Sequence, residues 1–516
     1  MSTPWGSFSY QYDGMNRLIQ LVSPSGTFAF EYDLLGQQTL LRYPNGIEAG
    51  YGYDAAGQST AVYHALGSYV VAYATYAYDN AGNRLSKYDL SGAHLYVYDV
   101  LHRLTVAVNL GPDGPVGAVE TFEHDKAGNR IADSSGTVFD YDYANRIQWD
   151  NFYTYEHDAN GNRISATGKL TGQTTSYVYD SENRRVEAHL PDGAVWTYKY
   201  DAKGRRVEKS LTGDASKTLR YVYDNEDVLA ILDGSNNLLA LFTHGPGLGR
   251  PLAMRQGTTD YYYHADALGS VVALTNSSGS VVESYEYTAY GRPFVRDGMG
   301  TLRGMSVVGN PFMYGGTERD PETGQNHMGH REQDPDAGTF MQEDPIGFAG
   351  GDVNLFAFAA ESPTNLIDPL GLSWKESRQM LWEWASGTGH RSRTFGSGSN
   401  QVFDLRFAPG VHRAREAFYS KNVGMQCGEY DPLTNYRAGF GLEGLWQAGS
   451  NSTRQFVGNY RIDIIPNPDN TLTFTLTNTT SMTSLLYGYG PSWNRDSFRF
   501  GGNMTQVYTW MEPMRR

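Results

Sequence analysis

Apolar and polar positions alternate with a period of two along the front of the chain, as in Tyr73-Ala-Thr-Tyr76-Ala-Tyr78. That is the period of a β-strand with one face buried. Each alternating stretch runs into the same punctuation: a Tyr or His, then Asp, then a short turn often closed by Arg. The motif reads YDGMNRL at Tyr12-Asp13, YDNAGNRL at Tyr78-Asp79, HDKAGNRI at His124-Asp125 and YDAKGRRV at Tyr200-Asp201. Eleven copies stand in phase, 16 to 26 residues apart, and Tyr88-Asp89 falls out of phase. The Asp can accept hydrogen bonds from backbone N–H groups further along the turn, and Gly supplies the positive φ that a hairpin requires. The pattern predicts hairpins that cannot bury their own faces singly and must stack into one long coiling sheet. In this reading the YD aspartates shape the fold and do no chemistry.

The pattern changes near the end. Ser373-Trp-Lys-Glu376 has the spacing of a capping box and predicts a helix through Met380, Leu381 and Trp384, ended by Gly387. Residues 387–400 read as a basic, glycine- and serine-rich loop. Pro409 suits the first turn of a second helix, to about Lys421. Tyr460 to Ile464 and Thr471 to Thr477 alternate across a proline-containing turn and predict a hairpin, with a last strand at Val507 to Trp510. The back of the chain is therefore expected to be a small α+β domain behind a mostly β front.

Composition sharpens this division. Gly contributes 59 residues and Tyr 38 of 516, which favours short strands and turns over helices. Residues 1–372 hold 26 basic against 45 acidic side chains, and residues 373–516 hold 15 against 11, 13 of the 15 being Arg. The two parts carry opposite net charge, −19 and +4, and the change falls at Asn365-LIDPLGL-372. No apolar run nears the roughly 18 residues of a membrane helix, and no signal peptide is visible at the N-terminus. A lone Cys427 excludes a disulfide framework and a multi-cysteine metal site. Nothing calls for a metal or a cofactor.

Candidate chemistry centres on Asp-Pro. It occurs at Asp320, Asp334, Asp344, Asp368 and Asp431. Asp320, Asp334 and Asp431 read as turn starters. Asp344 in DPIG and Asp368 in DPLG repeat one tetrad 24 residues apart, and the stretch between them can return the second turn beside the first. Two adjoining carboxylates share a proton, and such a pair can activate water and protonate a leaving amide nitrogen. Glu343 and Asp352 are alternative partners. In the tail, His412, Arg413, Arg415 and Glu416 lie on the second predicted helix, where acid–base work on a phosphodiester and a solvated helix face remain alternatives.

The YDxxGxRL repeats resemble the Rhs, or YD-repeat, proteins. Tyr261-YYHADALGSVVALTNSSGSVVESYEYTAYGRP, Gly315-GTERDPETG and Arg331-EQDPDAGTFMQEDPIGFAGGDVNLFAF are similar to the Rhs-associated core, and Pro363-TNLIDPLGL fits its P-x4-DPxGL close. The resemblance spans residues 1–372 and implies a YD-repeat β-shell (1–260), an Rhs-associated core with the self-cleavage signature (261–372) and a variable toxin-like domain (373–516). It implies one aspartic self-cleavage between Leu372 and Ser373 by Asp344 and Asp368. The chain starts directly in repeats, so the expected shell is closed or incomplete. The expected role is a polymorphic toxin of interbacterial competition, exported by a specialised system. Its expected partners are a cognate immunity protein and a secretion apparatus or further shell component. Its effector would act on nucleic acid or a nucleotide. The other reading is a surface or secreted protein for adhesion or glycan binding, with the tail as a structural cap.

Overall fold

The computed structural model describes residues 1–110, 119–350, 352–372, 392–395, 409–422, 430–438, 460–467, 471–480 and 504–513. The chain divides into two compact units, residues 1–345 with 352–373, and 346–351 with 374–516.

In the first unit, consecutive strands pair antiparallel with their chain neighbours. A 12-stranded sheet runs from Ser9–Tyr12 to Arg130–Asp133, and a 17-stranded sheet from Asp140–Tyr141 to Leu302–Arg303. An isolated bridge between Ala132 and Val138 lies in the connection from one to the other. The sheets do not close into a barrel. A separate four-stranded sheet follows, built from Glu318–Asp320, Gln325–Met328, Arg331–Asp334 and Thr339–Phe340. The largest apolar cluster among the described residues packs the front of the chain, Phe28, Leu41 and Ile47 among it, against Ala230, Leu241 and Ala253 of the second sheet.

A repeat with both the tyrosine and the turn arginine locks three turns at once, as at Tyr98-Asp99. Asp99 Oδ1 accepts from the N–H groups of Leu101 and Arg103, at 2.9 and 3.0 Å. Its Oδ2 accepts from Arg103 Nε at 2.7 Å, and Arg103 Nη1 donates to the carbonyl of Asp125 in the next turn. The motif tyrosine works backwards: Tyr98 Oη donates to Arg84 O at 2.8 Å, as Tyr78 does to Ser59 O and Tyr200 to Arg185 O. The left-handed residue is Gly in some turns and Asn or His in others, as at Gly82 (φ 90°) and His102 (φ 64°).

The residue after the turn's clamp points inward. Arg84, Arg130, Arg163, Arg185 and Arg206 all stand five positions after a motif Asp and are buried. A buried guanidinium needs partners, and for Arg163, Arg185 and Arg206 the four-stranded sheet supplies them, while Arg84 lies over the Tyr76 ring. Asp320 takes Arg185 at 2.7 Å, Arg206 at 2.8 Å and Lys209 at 2.9 Å, while Asp334 takes Arg163 at 2.6 Å. Asp320 and Asp334 do start turns, with Gly324 and Gly338 N–H groups on their carbonyls. Their carboxylates have this second task.

In the second unit, the described strands form one sheet in the order Ser392–Phe395, Met504–Pro513, Thr471–Thr480, Tyr460–Pro466, Leu433–Ala438. The expected hairpin is present, with Ile462 opposite Leu476. The helix spans Pro409–Lys421 and buries Ala414 and Phe418. Ser392–Phe395 departs from the expected loop: it pairs parallel to Met504–Pro513, which provides the order that its own short pattern does not. The expected helix from Ser373 to Gly387 lies outside the described residues.

Candidate self-cleavage site

The turn Gly329-His330 swings the chain from Gln325–Met328 into Arg331–Asp334 and puts Arg331 at the head of the returning strand. Its side chain is 2% exposed and lies over the ring of Phe340, 3.5 Å from the centroid. Burial works against its charge, and Asp344 and Asp368 work for it.

Asp344 and Asp368 meet at this guanidinium. Arg331 Nη2 stands 3.0 Å from Asp344 Oδ2 and 3.1 Å from Asp368 Oδ2. The excursion from 345 to 367 does return the second DP turn beside the first. The join is a cation set between them, one way of meeting the repulsion between neighbouring carboxylates. Asp344 is set by its N–H on Leu355 O at 3.0 Å, and Arg331 Nη1 donates to the same carbonyl at 3.2 Å.

The same residues grip the peptide just before the expected cut. Arg331 Nε donates to Gly371 O at 2.7 Å, and Leu372 N donates to Asp368 Oδ1 at 3.1 Å. The Gly371–Leu372 peptide is thus held by both its oxygen and its nitrogen. Leu372 is described; Ser373, across the expected scissile bond, lies outside the described residues.

The signature segment sits in a socket of backbone. His330 N–H donates to Leu370 O at 3.0 Å, and Tyr314 Oη to Pro363 O at 3.0 Å. Gly315, at φ 58°, faces Ile367 so closely that a Cβ there would lie 1.5 Å from its Cδ1. A Cβ on Gly329 would lie 2.8 Å from Leu370 O. These contacts place Asp368 by placing its neighbours.

The alternative acids lie elsewhere. The Glu343 carboxylate packs on the turn at Gly161, and Asp352 Oδ1 accepts from Asn354 N–H at 2.9 Å. Burial pushes Asp352 up. Burial pushes Glu361 well above the ordinary range, with Asp352 reinforcing it. Glu361 ends three successive left-handed residues, Ala359, Ala360 and Glu361, at φ 52°, 49° and 53°. Sequence reading did not single out Arg331 or Glu361. Arg331 left a signal: an arginine opening the same quoted motif that holds DPIG.

In the second unit, Arg415 lies over the Phe474 ring, 5.2 Å from its centroid, and Glu416 is exposed. His412 is within the helix, but its side chain and that of Arg413 lie outside the described residues.

The tRNA nuclease WapA of Bacillus subtilis (strain 168) is 31% identical over 160 residues, covering 30% of this chain and 7% of that protein. The double-stranded DNA deaminase toxin A of Burkholderia cenocepacia (strain H111) is 31% identical over 115 residues, 22% of this chain and 8% of that one. The chain therefore matches under a tenth of the length of either relative. Among solved structures, the Photorhabdus luminescens Tc holotoxin pore matches with TM-score 0.55 at 18% identity, over 71% of this chain and 21% of that one, a likeness of fold. The Teneurin YD-shell profile matches residues 93–350, half of the chain. With its repeated Tyr-Asp hairpins and its open antiparallel sheets, the chain belongs to the Teneurin YD-shell family of YD-repeat proteins.

Proposed function

We propose that the chain is an Rhs-type polymorphic toxin whose β-shell carries residues 373–516 and releases them by one cut between Leu372 and Ser373. The observation that carries this reading is the single Arg331 nitrogen shared by Asp344 and Asp368, with the Gly371–Leu372 peptide held between Arg331 and Asp368. In the cut, one carboxylate of the pair takes a proton from a water attacking the Leu372 carbonyl. The other, protonated, gives its proton to the Ser373 nitrogen as the C–N bond breaks. Arg331 orients both acids and the peptide before the bond, and the new Leu372 carboxyl end stays with the shell at the acid pair, so turnover is single.

The released part is read as an effector against nucleic acid or a nucleotide. Its +4 charge, mostly arginine, opposes the −19 of the remainder and suits phosphate contacts. Relatives named for a tRNA nuclease and a DNA deaminase support the same class of target. Such a role calls for a cognate immunity protein, an export apparatus and any further shell component.

Intact-mass spectrometry of the purified chain tests the cut. Two fragments meeting at Leu372–Ser373 are expected, and one uncut chain in Asp344→Asn and Asp368→Asn. Cleavage unimpaired in both variants would remove the acid pair from the mechanism. An uncut wild-type chain would favour the adhesive reading with a structural cap.

A further inference from the structure

Two histidines meet where the front of the chain packs on the second sheet. His64, on Ser59–Leu66, is 1% exposed; His264, on Thr259–Ala265, is 0% exposed. Their Nδ1 atoms are 3.2 Å apart. The outer partners fix where each hydrogen sits. His64 Nε2 lies 3.0 Å from the carbonyl oxygen of Ala265, which only accepts, so Nε2 carries the hydrogen and His64 Nδ1 is bare. His264 Nδ1 must then donate to it. That leaves His264 Nε2 bare, to accept from the Thr275 hydroxyl at 2.9 Å. Thr275 Oγ1 in turn accepts from Asn45 Nδ2 at 3.1 Å. One directed chain of hydrogen bonds thus stitches Asn45 and His64 to Ala265, His264 and Thr275.

We infer that the His64–His264 pair is an acid-sensitive latch, which holds the front of the shell, residues 18–76, on strands Thr259–Ala265 and Val271–Thr275 at neutral pH and releases it on acidification.

Both rings already use both nitrogens. A proton added to His64 Nδ1 would set two N–H donors facing each other across 3.2 Å. A proton added to His264 Nε2 would oblige the Thr275 hydroxyl to turn and accept, and so take away the acceptor its own hydrogen had. Either one breaks a link and leaves a charge in a dry interface. The titratable neighbours offer no compensation. Tyr43, its ring 4.9 Å from His264, donates its hydroxyl to Tyr263 O. Asp266, next along the chain, accepts from the Leu268 and Ser270 N–H groups. Among the described residues, no carboxylate is hydrogen-bonded to either ring. Burial accordingly pushes His64 down to about 4, and pushes His264 well below its ordinary range, with His64 adding to it. For bases depressed on folding, the stabilisation is whole above the unfolded value of about 6.5 and is lost as pH falls toward 4. Other ties between the layers, among them Tyr43 Oη to Tyr263 O, Asn45 Nδ2 to Asn276 O, Tyr262 Oη to Ser25 O and Tyr76 Oη from Ala267 N–H, involve no group that gains charge in acid.

Hydrogen exchange of the intact chain, read by mass spectrometry at stepped pH and corrected for intrinsic rates, tests the latch. Residues 18–76 are expected to lose protection on acidification before the rest of the second sheet does. His64→Gln keeps a donor for Ala265 and an acceptor for His264 but does not ionise, so its opening should shift down by at least about half a pH unit. Opening of wild type and His64→Gln at the same pH would overturn the inference. Should that variant fail to fold, exchange of the imidazole C2 hydrogens of His64 and His264 in the wild-type chain reports each ring's titration directly. Midpoints below about 5 agree with the latch, and midpoints at or above that value overturn it.

Discussion

Asp320 and Arg206 stand 114 residues apart in the chain and 2.8 Å apart in space, both fully buried. Asp320 also takes Arg185 and Lys209, so one carboxylate anchors three cations from two neighbouring hairpins. Truncating a buried hub strands its partners. Asp320→Asn is expected to destabilise the first unit by about 3–5 kcal/mol. Arg205→Ala, on the outer side of the same turn and partly solvated, should cost no more than about 1 kcal/mol. Urea unfolding of the two variants checks the contrast, and equal losses would show that the inner network carries no special share.

A turn carboxylate belongs to a third class. Asp79 Oδ1 accepts from Ala81 and Asn83 N–H groups at 2.9 and 2.8 Å, and Oδ2 from Asn83 Nδ2 at 2.7 Å. Asp79→Ala should cost on the order of 1 kcal/mol and leave self-cleavage intact. A folded Asp79→Ala that no longer cuts would mean the chemistry has been placed on the wrong aspartates.

The socket around the signature makes a paired prediction. Gly315→Ala adds a methyl where Ile367 Cδ1 already lies, displacing the residue before Asp368. Cleavage should slow by at least about tenfold, the equivalent of roughly 1.4 kcal/mol, while the shell remains folded. Ile367→Ala in the same chain removes the collision and should restore part of the rate. Time-resolved intact mass of the single and double variants reads the result. No rescue would mean that Gly315 matters for its φ alone.

Glu361 makes the stability of the first unit depend on pH in the direction opposite to the histidine pair. Burial, then Asp352, raise its carboxyl above the ordinary 4.5, and the nearby Asp125 and Asp99 act the same way against Arg103. An acid raised on folding is stabilising while protonated. That contribution is whole below about 4.5 and is lost as pH rises toward the folded value. Glu361→Gln, neutral throughout, should therefore be more stable than wild type at about pH 8, with the gap narrowing toward about pH 5.5. Urea midpoints across that range check it, and a constant gap would point to packing instead of charge.

Released cargo should be harmful inside cells. Expression of the full chain in the bacterial cytoplasm is expected to arrest growth, and Asp368→Asn to relieve the arrest by keeping residues 373–516 attached. Total RNA, DNA and nucleotide pools are then compared after induction. Arrest with all three unchanged would point away from a nucleic-acid target. Relief by His412→Ala with Arg415→Ala would place the chemistry on the Pro409–Lys421 helix.

The repeats were legible because a hairpin's needs are local. Asp99, Arg103 and the left-handed His102 satisfy one another within five residues, so their types recur wherever the turn does. The inward arginines were not legible as a network, since Arg163 finds Asp334 171 residues away and no local rule names that partner. The pairing of DPIG with DPLG was visible as a repeated tetrad. Arg331 was hidden because its meaning depends on three segments that converge only in the fold. Ser392–Phe395 shows no strand pattern of its own because a four-residue edge strand draws its order from the strand beside it.

The backward reach of each motif tyrosine and the forward reach of each turn arginine give the shell a modular growth rule. A hairpin contacts its predecessor through Tyr98-type bonds and its successor through Arg103-type bonds, a demand that any like neighbour can meet. Between Gln38 and Tyr98 particular residues add claims of their own, since Asn45, His64 and Tyr76 reach Thr275, Ala265 and Ala267 on the second sheet. From Arg163 to Lys209 the rule no longer holds, because Asp334 and Asp320 count off particular arginines. Local bonds repeat along the shell, and distant partners meter its length at the front as well as near the acid pair.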